Sequence, residues 1–298
     1  NTLSYLCPMN RVAVVFGASG QLGASLVREL QARRYTVSGW DRSEVDITRA
    51  AAVERALARS DAEVVFNAAA YNQVDVAEKE PQAAFLVNGL AVRNVAVACR
   101  QIDARLVHFS TDYVFDGHAR HPYAEDDPTH PLGAYAVSKL AGELYAQAYL
   151  HRALVVRTSG VFGPGGLATA RGNFVELMLR LAVSDQPIRV VEDHVASPTY
   201  APLLAARTVD LVDREFSGLF HIGGGSPISW FQFAKTIFEL AGLQPTLMAT
   251  NEREYRTPAQ RPRYSALSNA KMERVGLEPM PPLRTALEMY FAERGRKP

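Results

Sequence analysis

Length, composition and charge exclude several classes of protein. The chain has 298 residues, of which 48% are hydrophobic and 21% are charged, so it can bury a large core and is neither disordered nor fibrous. With a formal net charge of +1 and no blocks of like charge, the chain has no strong positive electrostatic field that would attract nucleic acid or an anionic membrane. We also find no apolar run of the roughly 18 residues that a membrane span needs.

The cysteines and the amino terminus indicate the cellular compartment. Cys7 and Cys99 alone cannot form a disulfide framework or a zinc site, which is typical of a reducing cytoplasm. Residues 1–8 lack the basic and apolar regions of a signal peptide, and Met9 lies just before the first predicted strand. We therefore expect a cytoplasmic protein with no metal site, a natural start at Met9 and residues 1–8 as an extension.

The first predicted strand leads directly into a glycine-rich turn. Val12–Phe16 is followed by Gly17, Gly20 and Gly23, and apolar residues then recur at helical spacing over 22–33. This context is typical of dinucleotide binding: Gly17 would form the turn, Gly20 would admit a pyrophosphate, and Gly23 would let the helix pack closely. Further predicted cofactor contacts in this turn are Ser19, Gln21 and Leu22. The spacing differs from Gly-x-Gly-x-x-Gly, and an ordinary strand-to-helix turn is the alternative.

The end of the second predicted strand, at 35–40, leaves the cofactor open between NADPH and NADH. Asp41 lies about 20 residues past the glycine turn, where an acid hydrogen-bonds a ribose 2′-hydroxyl and favours NADH. Arg42 follows immediately, and a guanidinium there can bind a 2′-phosphate and favour NADPH.

Strand-like and helical runs alternate through the first 160 residues. Further strands are predicted at 63–67, 105–110 and 153–157, and further helices near 48–59, 81–101 and 134–150. This alternation predicts an α/β fold, a Rossmann-like doubly wound parallel sheet with its ligand at the carboxyl ends of the strands.

Beyond about residue 163 glycine and proline clusters interrupt this rhythm. Helices are predicted near 173–184 and 229–241, the second opened by Ser229 and closed by Gly242. We expect residues 9–163, with about 199–224, to form an NAD(P)-binding Rossmann domain. Residues from about 164 to 198 and from 225 to 298 would form a smaller C-terminal substrate lobe.

Tyr135 and Lys139 lie four residues apart in the helix predicted near 134–150. This spacing places both side chains on one face, one turn apart. A neighbouring ammonium group favours the ionised phenol and lowers its pKa from about 10, which suits a general acid that protonates a carbonyl. An exposed surface pair is the alternative.

From residue 9 to about 291 the chain resembles the extended short-chain dehydrogenase/reductases and, within them, the dTDP-4-dehydrorhamnose reductases. The motifs that carry the resemblance are Asn67-Ala68-Ala69-Ala70, Val74-Asp75-x-Ala77-Glu78, Ser110-Thr111-Asp112-Tyr113-Val114-Phe115-Asp116-Gly117, Tyr135-x-x-x-Lys139-Leu140-x-Gly142-Glu143, Arg157-Thr158-Ser159, Ser197-Pro198-Thr199 and Arg261-Pro262. The resemblance implies NAD(P)H-dependent reduction of the C4 ketone of a dTDP-linked 6-deoxyhexose, most directly of dTDP-4-dehydrorhamnose to dTDP-L-rhamnose.

The resemblance also implies roles for individual residues. Tyr135 would donate the proton, Lys139 would lower the pKa of Tyr135 and bind the nicotinamide ribose, and Thr111 would orient the carbonyl. The implied cofactor contacts are Asp46, Ile47, Asn67, Ala68, Ala69, Ala70, Tyr135 and Lys139. The implied substrate contacts are Val74, Asp112, Tyr113, Phe162 and Arg261. For partners we expect the dTDP-sugar, no nucleic acid and no membrane, and we allow for a homodimer.

One departure from the family leaves the sugar open. Gly160 follows Arg157-Thr158-Ser159, where the rhamnose-forming enzymes usually carry a tryptophan that packs on the sugar. A reductase for another nucleotide deoxysugar is therefore an alternative. An epimerase or 4,6-dehydratase is disfavoured because Tyr113-Val114 replaces the acid pair of the dehydratases. A non-catalytic NADP-binding subunit, like the regulatory subunit of methionine adenosyltransferase, is the third hypothesis.

Overall fold

The computed structural model describes residues 11–168, 172–184 and 186–295, so Cys7, Met9 and the extension 1–8 lie outside the described residues. In chain order the elements are β1 (Val12–Phe16), α1 (Gln21–Ala32), β2 (Thr36–Trp40), α2 (Ala50–Leu57), β3 (Val64–Asn67), α3 (Val74–Ala77), α4 (Pro81–Phe85), α5 (Ala91–Gln101), β4 (Arg105–Thr111), α6 (Ala134–Tyr149), β5 (Leu154–Thr158), α7 (Phe174–Ala182), β6 (Ile188–Val191), β7 (Val195–Ala196), α8 (Ala201–Asp213), β8 (Gly218–His221), β9 (Ile228–Ser229), α9 (Trp230–Ala241), β10 (Leu247–Thr250), α10 (Ala270–Arg274) and α11 (Leu283–Arg294).

Six strands of the described residues form one parallel sheet in the order β2-β1-β3-β4-β5-β8. All seven residues of β4 are buried, as expected of a strand that helices cover on both faces. Alternate side chains point to opposite faces: Val15 packs with α1 and α8, whereas Val14 packs with α2 and α5. The predicted Rossmann-like, doubly wound fold is confirmed.

The sheet places the ends of several strands at one crevice. The chain runs from β1 outward to β2 and then returns to β3 on the other side of β1, so the strand order reverses at β1. Ligands of open α/β sheets bind outside the carboxyl ends of the strands at such a reversal. The polar and glycine residues that follow β1, β3 and β4 therefore meet at this edge.

The helix predicted at 81–101 is interrupted. A π-helical turn, Leu86–Leu90, separates α4 from α5. Contrary to the expectation from the sequence, the whole stretch Pro81–Gln101 is long and apolar enough to cross a membrane by length and composition alone, but half of its apolar window is buried. Since α5 contributes Val92 and Val95 to the core beneath the sheet, the stretch has the packing of a core helix.

A second apolar core lies in the C-terminal part of the chain. Here α7, α9 and α11 pack around the parallel pair β6 and β10. The predicted ends of α9 are confirmed: Ser229 Oγ accepts a hydrogen bond from the Gln232 amide at 3.2 Å, and Gly242 closes the helix with a φ of +68°. This lobe faces the crevice of the sheet across the segments at 160–163 and 194–199.

Candidate functional site: a dinucleotide cleft beside an arginine-lined pocket

The glycine turn after β1 is shaped by close backbone contacts. Gly17 has a φ of +75°, and a Cβ there would lie 2.8 Å from the Ala69 amide nitrogen. A Cβ at Gly23 would lie 1.9 Å from the Gly17 carbonyl oxygen, so α1 packs onto the turn only because position 23 is glycine. Gly20 precedes α1 without a side-chain cap, which leaves the first amides of the helix available to an anion.

Around this turn a cleft of about 480 Å³ follows the carboxyl ends of the strands. It brings together the predicted residues Gly20, Gln21, Leu22, Asn67, Ala68, Ala69, Ala70, Thr111, Asp112, Tyr135 and Lys139. Asn67 Oδ1 and Ser110 Oγ are buried without a hydrogen-bond partner among the described residues. Buried polar atoms normally have partners, so these two oxygens suit the polar groups of a bound dinucleotide.

Gln21 connects the cleft to the C-terminal lobe. Its side-chain Nε2 donates to the Val161 carbonyl at 2.6 Å, and its Oε1 accepts from Asn173 Nδ2 at 2.9 Å. The side chain is therefore committed to the protein, and Gln21 is left to contact a dinucleotide through its backbone at the start of α1.

The charged residues after β2 differ in how firmly they are held. Asp41 accepts a hydrogen bond from the Ser19 amide at 3.0 Å. Arg42 is 85% exposed and lies 3.7 Å from Asp46, whose carboxylate also accepts from the Thr48 amide and hydroxyl. These Thr48 hydrogen bonds lower the pKa of Asp46 despite its partial burial. Ile47 is buried in the same apolar cluster as Phe16 and Val53.

Thr111, Tyr135 and Lys139 converge where β4 ends against α6. The Thr111 hydroxyl lies near enough to the Tyr135 hydroxyl to lower the pKa of the phenol. Lys139 is 4% exposed, and its Nζ donates to the Phe109 carbonyl at 2.5 Å. A hydroxyl pair and an ammonium group thus occupy one wall of the cleft, as the sequence predicts.

The pKa values of this group differ from the sequence-based expectation. Burial raises the pKa of Tyr135, and the charge of Asp112 raises it further, although the nearby Thr111 hydroxyl opposes this. The predicted lowering is therefore wrong for the protein alone, because desolvation of the phenolate dominates and Lys139 is not among the groups that shift this pKa. Burial also lowers the pKa of Lys139 to about 8, while Glu143 acts in the opposite direction.

Asp112 is the centre of a buried hydroxyl network. Its Oδ2 accepts from Ser159 Oγ at 2.8 Å and from Ser265 Oγ at 2.5 Å, and its Oδ1 accepts from Thr111 Oγ1 at 3.2 Å. Burial raises the pKa of Asp112 to about 6 although these hydrogen bonds lower it. The carboxylate therefore joins the end of β4 to the C-terminal lobe and positions the hydroxyl of Thr111.

Behind the cleft, Glu143 and Arg157 form a buried ion pair. Two parallel hydrogen bonds, Nε to Oε1 at 2.9 Å and Nη2 to Oε2 at 2.7 Å, join α6 to β5. Both side chains are less than 5% exposed, and the guanidinium also lies 5.1 Å from the centre of the Phe115 ring. This pair fixes the helix that carries Tyr135 and Lys139 against the sheet.

A second cavity of about 750 Å³ lies in the C-terminal lobe next to the cleft. Phe174, Trp230 and Tyr255 form part of its apolar lining, and its charged lining consists mainly of Arg189, Arg253, Arg256, Arg261 and Arg263. Arg189 and Arg263 are paired with Glu254 and Glu252 at 2.8 and 2.7 Å. Within the described residues Arg253 and Arg256 have no ion pair and are exposed, so they are available to an anionic ligand.

Of the predicted substrate contacts, Tyr113 and Arg261 line the lobe cavity, whereas Val74 lines neither cavity. The ring of Tyr113 meets that of Tyr135 edge-on, with centroids 6.1 Å apart. Arg261 lines the lobe cavity, but Asp75 holds its guanidinium with two contacts of 3.0 and 2.8 Å. A phosphate at Arg261 would therefore have to share it with Asp75. Val74 begins α3 and borders the small recess beside Tyr113.

Phe162 is not where the sequence-based prediction places it. Its side chain has no exposed surface and packs between Tyr200, Phe233 and Tyr290 in the core of the lobe. Gly160 and Val161 line the cleft, but the extended chain turns the next side chain to the opposite side. Phe162 therefore offers no surface to a sugar.

Trp230 is the site residue that sequence reasoning missed. It begins α9, lines the lobe cavity and approaches Gly160 with the edge of its ring. The only local signal was its place after the cap Ser229, which predicts a helix start and says nothing about a ligand. Its nearness to Gly160 depends on how the lobe packs on the sheet.

Three potential metal ligands also lie near this cavity. Oxygen or nitrogen atoms of Asp193, His194 and Glu252 lie within 4.8 Å of one another. Glu252 is already paired with Arg263, and Asp193 accepts the Glu252 amide at 3.1 Å. These protein contacts account for the cluster.

Comparisons with known proteins point to one family. The family model of the RmlD substrate binding domain matches residues 11–295. A dTDP-4-dehydrorhamnose reductase of Mycolicibacterium smegmatis is 40% identical over 278 residues, which cover 92% of this chain and 83% of that protein. The spore coat polysaccharide biosynthesis protein SpsK of Bacillus subtilis is 37% identical over 281 residues, which cover 94% of this chain and 97% of that protein.

The fold comparison agrees. The crystal structure of a dTDP-4-dehydrorhamnose reductase of Bacillus anthracis in complex with NADP matches with a TM-score of 0.91 and 34% identity, and the match covers 96% of this chain and 100% of that chain. The resemblance predicted from the sequence motifs is confirmed. The chain belongs to the RmlD family of dTDP-4-dehydrorhamnose reductases.

Proposed function

We propose that this protein reduces the C4 ketone of a dTDP-linked 6-deoxyhexose with NADPH or NADH, and that dTDP-4-dehydrorhamnose is its substrate. The observation that carries the proposal is the convergence of Thr111, Tyr135 and Lys139 in the cleft beside the glycine turn. A proton donor, a second hydroxyl and an ammonium group face one space there, which is the set that ketone reduction requires.

The residues of the cleft fit a nicotinamide dinucleotide. The amides at the start of α1 would bind the pyrophosphate at the uncapped helix end beside Gly20. Asp41, Arg42, Asp46 and Ile47 would surround the adenosine, and Asn67 and Ser110, whose oxygens have no hydrogen-bond partner among the described residues, line the cleft itself. When bound, the reduced nicotinamide supplies the hydride.

The chain's own residues manage the charge that develops on the substrate. As the carbonyl carbon gains the hydride, the π electrons of the C=O bond move to the oxygen, which takes the proton of the Tyr135 hydroxyl. The raised pKa of Tyr135 keeps that proton in place until the oxygen becomes basic. Thr111 would orient the carbonyl, and the ammonium group of Lys139 would stabilise the phenolate until water returns a proton.

The lobe cavity would hold the nucleotide part of the substrate. Its exposed Arg253 and Arg256, with Arg261, provide positive charge for a diphosphate, and the rings of Phe174 and Tyr255 in its lining provide apolar surface for the base. We further propose that residues 9–163 with 199–224 bind the cofactor and that 164–198 with 225–298 bind the sugar nucleotide. Catalysis then takes place where the two cavities meet.

Location and assembly are separate proposals. The buried free thiol of Cys99 is compatible with a reducing cytoplasm. Exposed apolar side chains on α6 and the adjoining π-helical turn, with Leu144 at 60% and Leu86 at 43% exposure, would be covered in a homodimer. Light scattering of the purified protein at several concentrations would test the dimer, and a mass of one chain throughout would refute it.

The decisive test of function is an assay with defined substrates. The protein is incubated with NADPH or NADH and with dTDP-4-dehydrorhamnose or other dTDP-4-keto-6-deoxyhexoses, and the loss of reduced cofactor and the product are measured. We expect dTDP-L-rhamnose as the product. Turnover of another ketosugar alone would replace the proposed substrate, and binding of cofactor without reduction of any of them would support a non-catalytic subunit instead.

A further inference from the structure

The two cavities meet at a contact between Gly160 and Trp230. Gly160 lines the cleft that contains Tyr135, whereas Trp230 lines the cavity that contains the arginines. A Cβ built on Gly160 would lie 3.2 Å from Cη2 of the indole and 3.3 Å from the Cα of Pro198. The edge of the indole therefore occupies the space that a side chain at position 160 would need.

Trp230 is held firmly on the side away from this junction. Its amide donates to the His194 carbonyl at 3.2 Å, and the Ser229 cap fixes the first turn of α9. Its ring packs against Phe174 with centroids 4.8 Å apart and against Phe233 with centroids 5.9 Å apart. The side chain remains partly exposed, so a ligand that crosses the junction meets a positioned indole.

We propose that Trp230 forms the aromatic wall of the sugar-binding part of the site and determines which sugars are accepted. This inference rests on the proposed function, since a substrate with its ketone at Tyr135 and its nucleotide among the arginines must place its sugar at the junction. A 6-deoxyhexose carries a methyl group at C6 and axial C–H groups on its ring, and these apolar groups pack well against an aromatic side chain.

Other aromatic side chains are less suited to this role. Phe162 is fully buried in the lobe core, and Tyr113, which also lines the lobe cavity, is packed edge-to-face with the proposed proton donor Tyr135. A tryptophan at position 160 is also disfavoured in this chain. Gly160 has a φ of +49°, which favours glycine, and its neighbours Trp230 and Pro198 leave no room for a ring. The aromatic group thus comes from α9.

The first test follows Trp230 directly. The chain has two tryptophans, so Trp40→Phe leaves Trp230 as the single indole reporter. This variant is titrated with dTDP and with dTDP-rhamnose in the absence of reduced cofactor, and tryptophan emission is recorded to saturation. We expect dTDP-rhamnose to change the emission more than dTDP does, because only the former has a sugar at the junction. Equal changes at saturation would overturn the proposal.

The second test distinguishes the loss of a contact between Trp230 and the sugar from a general effect on folding. Trp230→Ala should lower kcat/KM for dTDP-4-dehydrorhamnose on the order of 10- to 100-fold, and Trp230→Phe should retain more of it. Trp40→Phe serves as the control. The dissociation constants of Trp230→Ala for NADPH and for dTDP should stay near those of this control. Undiminished kcat/KM in Trp230→Ala would refute the wall while leaving the reductase intact. If the unaltered protein reduces no 4-ketohexose, the proposed function fails, and the emission experiment alone decides whether Trp230 contacts a sugar.

Discussion

The cleft and the lobe cavity hold their charged groups in opposite ways. In and behind the cleft, Lys139, Asp112 and the pair Glu143 and Arg157 are buried and bonded to the protein. In the lobe cavity Arg253 and Arg256 are exposed and, among the described residues, have no ion pair. The difference matches two tasks: groups that act on a reacting carbonyl must be positioned in advance, whereas groups that bind a diphosphate can close around it.

The two regions also differ in how much their ion pairs contribute to the free energy of unfolding. Removing one partner of a buried pair such as Glu143 and Arg157 strongly destabilises the fold, because the charge of the other partner is left buried without compensation. An exposed pair such as Arg189 and Glu254 contributes little to stability. Substitutions in the cleft region should therefore affect catalysis or folding, and those in the lobe cavity should mainly affect binding.

The largest effect is expected for Tyr135→Phe. The variant loses one hydroxyl and keeps the ring that packs edge-on against Tyr113, so the fold and dinucleotide binding should persist. Turnover should fall by on the order of 10²–10⁴, the usual contribution of a general acid. Single-turnover kinetics with dTDP-4-dehydrorhamnose measure this, and a variant with nearly unaltered turnover would contradict the role of Tyr135 as proton donor.

The second prediction concerns stability. Glu143→Ala should lower the free energy of unfolding by roughly 3–5 kcal/mol, because Arg157 keeps a buried charge without its partner. The control Glu254→Ala, which breaks the exposed pair, should cost about 1 kcal/mol or less. Urea unfolding followed by circular dichroism compares them, and equal losses in the two variants would remove the distinction drawn between the two regions.

A pH profile tests the state of Lys139. With a pKa of about 8 in the protein, Lys139 is protonated below that value and loses its charge as the pH rises through it. The kcat/KM should therefore fall above about pH 8, by roughly tenfold per unit. Lys139→Arg keeps a permanent charge, so its residual activity should lack this decline. An unchanged alkaline decline in Lys139→Arg would assign it to another group.

Local patterns explain how much of the fold could be predicted. The bounds of β1 are those predicted from the sequence, and α6 ends within one residue of its predicted limit, since hydrophobic periodicity and glycine punctuation act over a few residues. The π-helical turn at Leu86–Leu90 was not predicted, because the apolar periodicity continues through it. Predicted cofactor residues such as Asn67 and Ala69 line one cleft because the ends of parallel strands meet there, and the packing of α6 against β4 adds Lys139.

The errors concern properties that depend on tertiary packing. The pKa of Tyr135 was predicted from its spacing to Lys139, but the depth of burial decides its direction. Phe162 was assigned to the sugar because it is close to Gly160 in sequence, yet its side chain points into the lobe core. Trp230 lies seventy positions after Gly160 in the numbering and touches it only because the lobe folds back over the sheet.

The smallest effect is expected at the charged residues after β2, where we propose that the adenosine of the cofactor binds. Arg42 is 85% exposed, so its contact with a 2′-phosphate is weakened by solvent, and Arg42→Ala should lower the preference for NADPH over NADH by about two- to fivefold. Asp41→Asn is the matched variant, because the amide oxygen can still accept from the Ser19 amide while the charge that repels a phosphate is removed. It should shift the preference toward NADPH by a similar factor. Steady-state kcat/KM with both cofactors measures these shifts, and the same NADPH/NADH ratio in both variants and the unaltered protein would place recognition of the 2′-group on other residues.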